Sequence, residues 1–230
     1  LLLVASDVSS RYTRRNQREY EKVAEYIQTA VQGRKGNYLV FFPSYQYLKA
    51  VEDIWAQRME EEQANGKRQP EGDAIHWLSQ DGHMKEEERE AFLQEFEKER
   101  DETFVGFCVM GGIFSEGIDL KEDRLIGVVI VGTGLPMVCT EQELLKGYFE
   151  KTNQKGFDYA YQYPGMNKVM QAAGRVIRTM EDEGIILLLD DRFLKWEYQE
   201  LFPREWWPHQ IVNRGNVGKA IRDFWKERKR

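Results

Sequence analysis

The residues best suited to chemistry in this chain lie between Gln171 and Arg178, in the run QAAGRVIR. If that run is helical, at about 100° per residue, Gln171, Arg175 and Arg178 fall within roughly 60° of one another. Val169, Ala173, Val176 and Ile177 take the opposite face, and Gly174 lies on the polar side. A glycine inside a helix costs about 1 kcal/mol relative to alanine. Here it would leave bare backbone beside two guanidiniums, where a bulky anion can approach. Like charges on one face repel unless an anion sits between them. Phosphate suits the gap, because arginine grips it with a planar fork and stays protonated. A solvated basic face would show the same Arg-x-x-Arg spacing, so the residues alone leave both uses open.

A second cluster is the loop GGIFSEGIDL, residues 111–120. Gly111, Gly112 and Gly117 free the backbone for tight turns and close approach to a ligand. Glu116 and Asp119 are acceptors suited to ribose hydroxyls, and Ser115 suits either a phosphate or a helix cap. An ordinary strand-to-helix connection would use the same residues. Ser44 fits either a helix cap or a donor to a phosphate at a helix N-terminus. In GTGLP (132–136), Thr133 and Gly134 would let a strand backbone pass closely. Arg11, Arg14 and Arg15 form a basic cluster that suits a solvated face, a hinge or a nucleic-acid contact. Trp206 and Trp207 suit either base stacking or burial against the last helix. The lysine-bearing phosphate cradle GxxxxGK[ST] is absent from the sequence, and so is an Asp-Glu pair placed to hold magnesium.

These groups need a scaffold. The chain has 230 residues, 41% of them hydrophobic, with 12 Phe, 11 Tyr and 6 Trp, which is ample for a core. It lacks the long apolar run a membrane span needs, so no membrane partner is expected. The opening LLLVAS lacks the flanks of a secretion signal, and the missing initiator methionine suggests a piece of a longer protein. Cys108 and Cys139 suit a reducing compartment, hence a cytoplasmic location, and the three histidines make no metal-ligand spacing. A net charge of −6 argues against a generally basic nucleic-acid coat, though not against a local basic groove.

Hydropathy alternates between strand and helix character. Strands are expected over 1–5, 37–42, 74–78, 104–110, 125–132 and 185–190. Helices are expected over 14–32, from Ser44 onward, and over 85–99, 141–151 and 165–180. Another runs from Asp191 through Leu201, and a last one holds Val217, Ile221, Phe224 and Trp225. Residues 60–73 read as a loop. Continuous apolar strands separated by helices predict a parallel α/β sheet covered on both faces. Ligands in such sheets gather at the carboxyl ends of strands. Three motifs sit at expected strand ends or on a following helix: Pro43-Ser44, the 111–119 loop and GTGLP.

Together these segments resemble the second RecA-like domain of superfamily 2 DNA helicases, in the XPD/DinG-like group. GNYLVFFPSYQYL (36–48) resembles that family's motif IV, GGIFSEGIDL its motif V, and QAAGRVIR its motif VI. FDYAYQYPGMNKVMQ (157–171) matches the lead-in to motif VI, and LLLDDRF (187–193) the segment after it. The resemblance implies one RecA-like domain over 1–230, with 1–13 a linker or edge strand and 203–230 a helical extension. It further implies half of an ATP-driven motor. The first RecA-like domain, outside this chain, would hold most of the ATP and magnesium. This chain would supply Arg178 as the finger on the γ-phosphate, with Arg175 beside it and Gln171 sensing that phosphate. Asp119, Glu116 and the bare backbone at Gly174 would face the nucleotide. Ser44, Ser115, Thr133 and Gly134 would face single-stranded DNA, travelled 5′ to 3′. An iron–sulfur cluster, where relatives have one, belongs to the first domain, and the two cysteines here cannot hold it. Two alternatives remain: a domain of a translocase or nuclease fusion that does not unwind, and an interaction domain that kept only the fold.

Overall fold

A computed structural model describes residues 1–64, 74–98, 101–112, 114, 125–177 and 182–228. In chain order, the elements begin with β1 (Leu2–Ala5), α1 (Gln17–Val31), β2 (Asn37–Phe42), α2 (Tyr45–Ala64) and β3 (Ile75–Ser79). Then come α3 (Glu86–Glu95), β4 (Thr103–Val109), β5 (Gly127–Val131), α4 (Thr140–Asn153) and α5 (Tyr163–Ala173). The chain closes with β6 (Ile185–Leu189), α6 (Trp196–Gln199), β7 (Gln210–Val212) and α7 (Val217–Glu227).

The strands form one seven-stranded sheet in the order β3-β4-β2-β5-β6-β1-β7, and every pairing is parallel. Strand side chains alternate between two cores. Tyr38, Val40, Phe42, Val129, Val131 and Leu187 join Val23, Ile27, Val51, Trp55 and Ile221 on the face covered by α1, α2 and α7. Leu39, Phe41, Cys108, Val128, Ile130 and Leu188 join Phe92, Met166, Val169 and Phe193 on the opposite face, which α3 and α5 cover. That double burial is why β2, β4, β5 and β6 are apolar without interruption. The fold is the parallel α/β sheet, covered on both faces, that the patterning predicts, and it has the RecA-like architecture that the resemblance implies.

Several boundaries differ from expectation. Residues 12–14 form a short 3₁₀ turn, and α1 starts only at Gln17, where the Asn16 side chain accepts the Glu19 N–H. Helix α2 runs to Ala64, past the expected loop start at 60. Strand β1 lies inside the sheet, between β6 and β7, because its buried Leu2–Ala5 segment pairs on both sides. The 203–230 segment contributes a strand, β7, as well as α7, whose Val217, Ile221 and Trp225 join the core. Asp190 rather than Asp191 caps the turn after β6, and that turn is 3₁₀ before the short α6. A π-helical turn, Asp158–Gln162, leads into α5. Among the described residues, no helix is long and apolar enough to cross a membrane.

Candidate functional site

Strands β2 and β5 are neighbours whose chains leave toward opposite faces. Beyond β2 the chain turns into α2 on one face, while the chain after β5 returns as α5 on the other. Such a divergence opens a crevice at the carboxyl ends, the usual ligand position in open parallel sheets. Ser44 stands at the exit of β2, where its Oγ accepts the Tyr47 N–H at 3.2 Å and caps α2. The cap use foreseen for Ser44 is thus present. On the far side of β2, the Gln80 side chain accepts the Val109 N–H at 2.9 Å and donates to the Tyr45 hydroxyl at 2.8 Å. That fastens the ends of β3 and β4 to the start of α2.

The exit of β5 is a bare-backbone corner. Gly132 and Gly134 both have positive φ, 85° and 66°, a region that glycine alone enters without cost. A Cβ on Gly132 would lie 2.6 Å from the Ser10 Oγ, and one on Gly134 would lie 2.5 Å from the Gly165 carbonyl oxygen. Gly134 therefore fits backbone against the first turn of α5, and it is buried there together with Thr133. The Thr133 hydroxyl is enclosed with no hydrogen-bond partner.

Helix α5 carries the polar face read from the sequence, with a correction. The spacing predicts one helix over 165–180, but α5 stops at Ala173 and Gly174 is its C-cap. The next amides tighten onto nearer carbonyls, Arg175 N–H to Ala172 O and Val176 N–H to Ala173 O. Gly174 is thus terminal rather than interior, and its φ of −65° shows that it stops the helix without entering the left-handed region. Gln171 is exposed on the last turn of α5, and Arg175 is half-buried in the turn beyond. A Cβ on Gly184 would lie 2.2 Å from Val176 Cγ1 and 3.0 Å from the Ile126 carbonyl oxygen. The arginine turn therefore sits at the amino ends of β5 and β6, whereas Gly165 sits at their carboxyl ends. The candidate residues split into two groups, an Arg175 turn and a crevice at the strand exits. Arg178, Ser115, Glu116 and Asp119 lie outside the described residues.

A second divergence, between β1 and β6, is filled by a network that the sequence did not announce. Asp190 is fully buried and accepts from the Ser10 N–H at 2.9 Å and the Ser10 hydroxyl at 2.6 Å. It also accepts from Arg192 Nε at 2.7 Å and Nη2 at 2.9 Å. Burial disfavours its charge. The Arg192 guanidinium and the Ser10 hydroxyl outweigh that and hold the carboxyl below the usual carboxylate range. Next door, Asp191 accepts from the Ser9 hydroxyl and pairs with Arg11 at 3.3 Å and Arg14 at 4.0 Å. Arg15 lies over the rings of Tyr12 and Tyr47. Arg11 is thus tied to the turn after β6, Arg15 packs on aromatic rings, and Arg14 stays largely exposed at the edge of the same carboxylate. Trp206 is buried against Phe202, while its neighbour Trp207 is half exposed. The clue available in sequence was LLLDDRF: a carboxylate leaving a fully apolar strand two residues before an arginine.

The family model described as Helicase C-terminal domain matches residues 27–210. The ATP-dependent DNA helicase CHL1 of Debaryomyces hansenii is 25% identical, covering 97% of this chain and 29% of that protein. A probable ATP-dependent helicase of Methanocaldococcus jannaschii is also 25% identical, over 85% of this chain and 29% of its own length. The regulator of telomere elongation helicase 1 homolog of Caenorhabditis elegans is 25% identical, over 90% of this chain and 22% of its own length. The chain thus spans less than a third of these relatives. Among solved structures, an apo XPD structure superposes with a TM-score of 0.68 at 22% identity, over 92% of this chain and 39% of that one. An XPD helicase structure gives 0.67 at 22% identity, over 92% and 35%.

Proposed function

The chain belongs to the helicase C-terminal domain family, and from that premise we propose that it is the second motor domain of an ATP-dependent DNA helicase. Its nucleotide would be shared with a first RecA-like domain that carries the phosphate loop and the magnesium. Arg178 would reach the γ-phosphate across that cleft, with Arg175 beside it and Gln171 sensing the bound state. Asp119 would hold the ribose, Glu116 would assist, and the bare backbone at Gly174 would let the nucleotide close in. Single-stranded DNA would run along the strand exits, past Ser44 and Ser115. Thr133 and Gly134, expected from the sequence to face it, are buried under α5 and would only shape the corner beneath it. Hydrolysis removes the charge bridging the lobes, the cleft opens, and repeated cycles carry the pair 5′ to 3′.

One observation carries this proposal: the family model spans the strand exits and the arginine turn in a single RecA-like unit. The separation of the two groups supports it, because a motor needs its nucleotide contacts and its track contacts on different surfaces. Arginine placed where charge develops on a transferred phosphoryl group is worth about 10³–10⁵ in rate. Arg178→Ala in the full-length helicase should therefore lower DNA-stimulated ATP turnover by at least about 10³-fold, with ATP binding largely retained. Unchanged turnover would refute the assignment.

A further inference from the structure

Lys168 lies on α5 three residues after Gly165, so the two share a side of the helix. Gly165 rests on the corner leaving β5: a Cβ there would stand 2.6 Å from the Thr133 carbonyl oxygen. The Lys168 side chain rests on the corner leaving β4. A Cβ on Gly111, whose φ is 70°, would stand 3.0 Å from Lys168 Cε and 3.3 Å from its Nζ. Strand β2 runs between β4 and β5, and Phe42 pairs with Val109. The first turns of α5 therefore bridge the end of β2, and the ammonium overhangs the place where Pro43 and Ser44 leave the sheet.

Lys168 is half-buried, and no described carboxylate pairs with it. A lysine of this exposure can lay its methylene stem along the protein and present its ammonium at the surface. At the neighbouring exit of β5, Thr133 is 1% exposed and its enclosed hydroxyl has no partner. Gly111 gives the Lys168 side chain room at the β4 corner, and Gly134 lets the β5 corner pack on the first turn of α5. The arrangement holds an ammonium at the strand exits, where it suits a singly charged group rich in acceptor oxygens.

We infer that Lys168 grips a backbone phosphate of the nucleic-acid strand at the crevice between α5 and the end of β2. The inference rests on the helicase proposal and adds to it the residue that supplies charge at the strand exits. Nucleotide phosphate is the competing source of the same chemistry. The Arg175 turn, however, lies seven residues further along, about 10 Å down the helix axis, at the amino ends of the strands, whereas the Lys168 side chain rests on the corner leaving β4 at their carboxyl ends.

Equilibrium binding of an oligothymidylate to the full-length helicase, titrated against salt, tests this. Removing one phosphate contact lowers the slope of log K against log salt by about 0.7 for a single strand. Lys168→Met should show that loss, Lys168→Arg should keep the wild-type slope, and the ATP dissociation constant without DNA should move less than twofold. An unchanged slope in a folded Lys168→Met protein overturns the inference and leaves the helicase proposal standing. A weakened ATP affinity with an unchanged slope reassigns the ammonium to the nucleotide and also overturns it. A wild-type protein that binds no single strand overturns both.

Discussion

Asp190 is the residue on which this domain's acid stability should turn. Its carboxylate is fully buried and is held by Arg192 and Ser10. Breaking a buried pair on one side leaves a charge with no compensation, at a cost of about 3–5 kcal/mol. Arg192→Met should therefore destabilise the domain by about that amount in urea unfolding. The pH dependence follows from the direction of the Asp190 shift. Because its proton binds more weakly in the folded state, the pair contributes fully above the ordinary carboxylate pKa of about 3.9. That contribution disappears as pH falls through the lower folded value. Melting temperatures should drop below about pH 4 in the wild type, and less steeply in Asp190→Asn. Equal acid profiles would remove Asp190 from the account. Residue types alone singled out Gln171 and Arg175 but passed over Lys168. Its wheel position, seven residues before Arg175, is nearly the same as that of the arginine. What placed it at a site was Gly111, far away in sequence and adjacent only after β4 and β5 flank β2.

At the scale of elements, α5 is held by contacts that tolerate no side chain at one end and is stopped by a glycine at the other. Gly134→Ala would force a Cβ against the Gly165 carbonyl and strain a residue at positive φ. A loss of roughly 1–3 kcal/mol is expected, read as a lower urea midpoint with an unchanged slope. Gly147→Ala provides the contrast. That glycine is inside α4 with nothing within 4 Å of a new Cβ, so alanine should stabilise by up to about 1 kcal/mol. If Gly134→Ala is harmless, the packing account of the β5 corner fails. Strands were legible because burial on both faces forces unbroken apolar runs such as NYLVFF and IILLL. Strand β7 was not, because QIV is three residues long and largely exposed. The end of α5 was misjudged because periodicity continues through Val176 while the backbone stops at Gly174. No residue pattern announces the π-helical turn before it.

Considered whole, the molecule in its proposed motor role would present two working surfaces at opposite ends of one helix, and its sequence contains no GxxxxGK[ST] phosphate cradle. The chain by itself should hydrolyse no ATP above the buffer rate. A malachite-green assay on residues 1–230 checks this, and turnover that survives repurification would contradict it. The topology and the covering of both faces could be read from hydropathy alternation. The division into two surfaces could not, because it depends on which way α5 runs and on how much of the sheet it crosses.

The position of β1 has its own consequence. Leu2 pairs with Ile186 and Leu3 with Gln210, so the earliest segment of this stretch waits for the latest. As the chain emerges from the ribosome, an apolar ribbon with unfilled backbone valences must stay shielded until nearly two hundred further residues have been made. Closure of these distant pairings brings a large loop-entropy cost before any contact repays it. Maturation should accordingly be slow and late, with the newborn intermediate prone to clumping and dependent on chaperone cover.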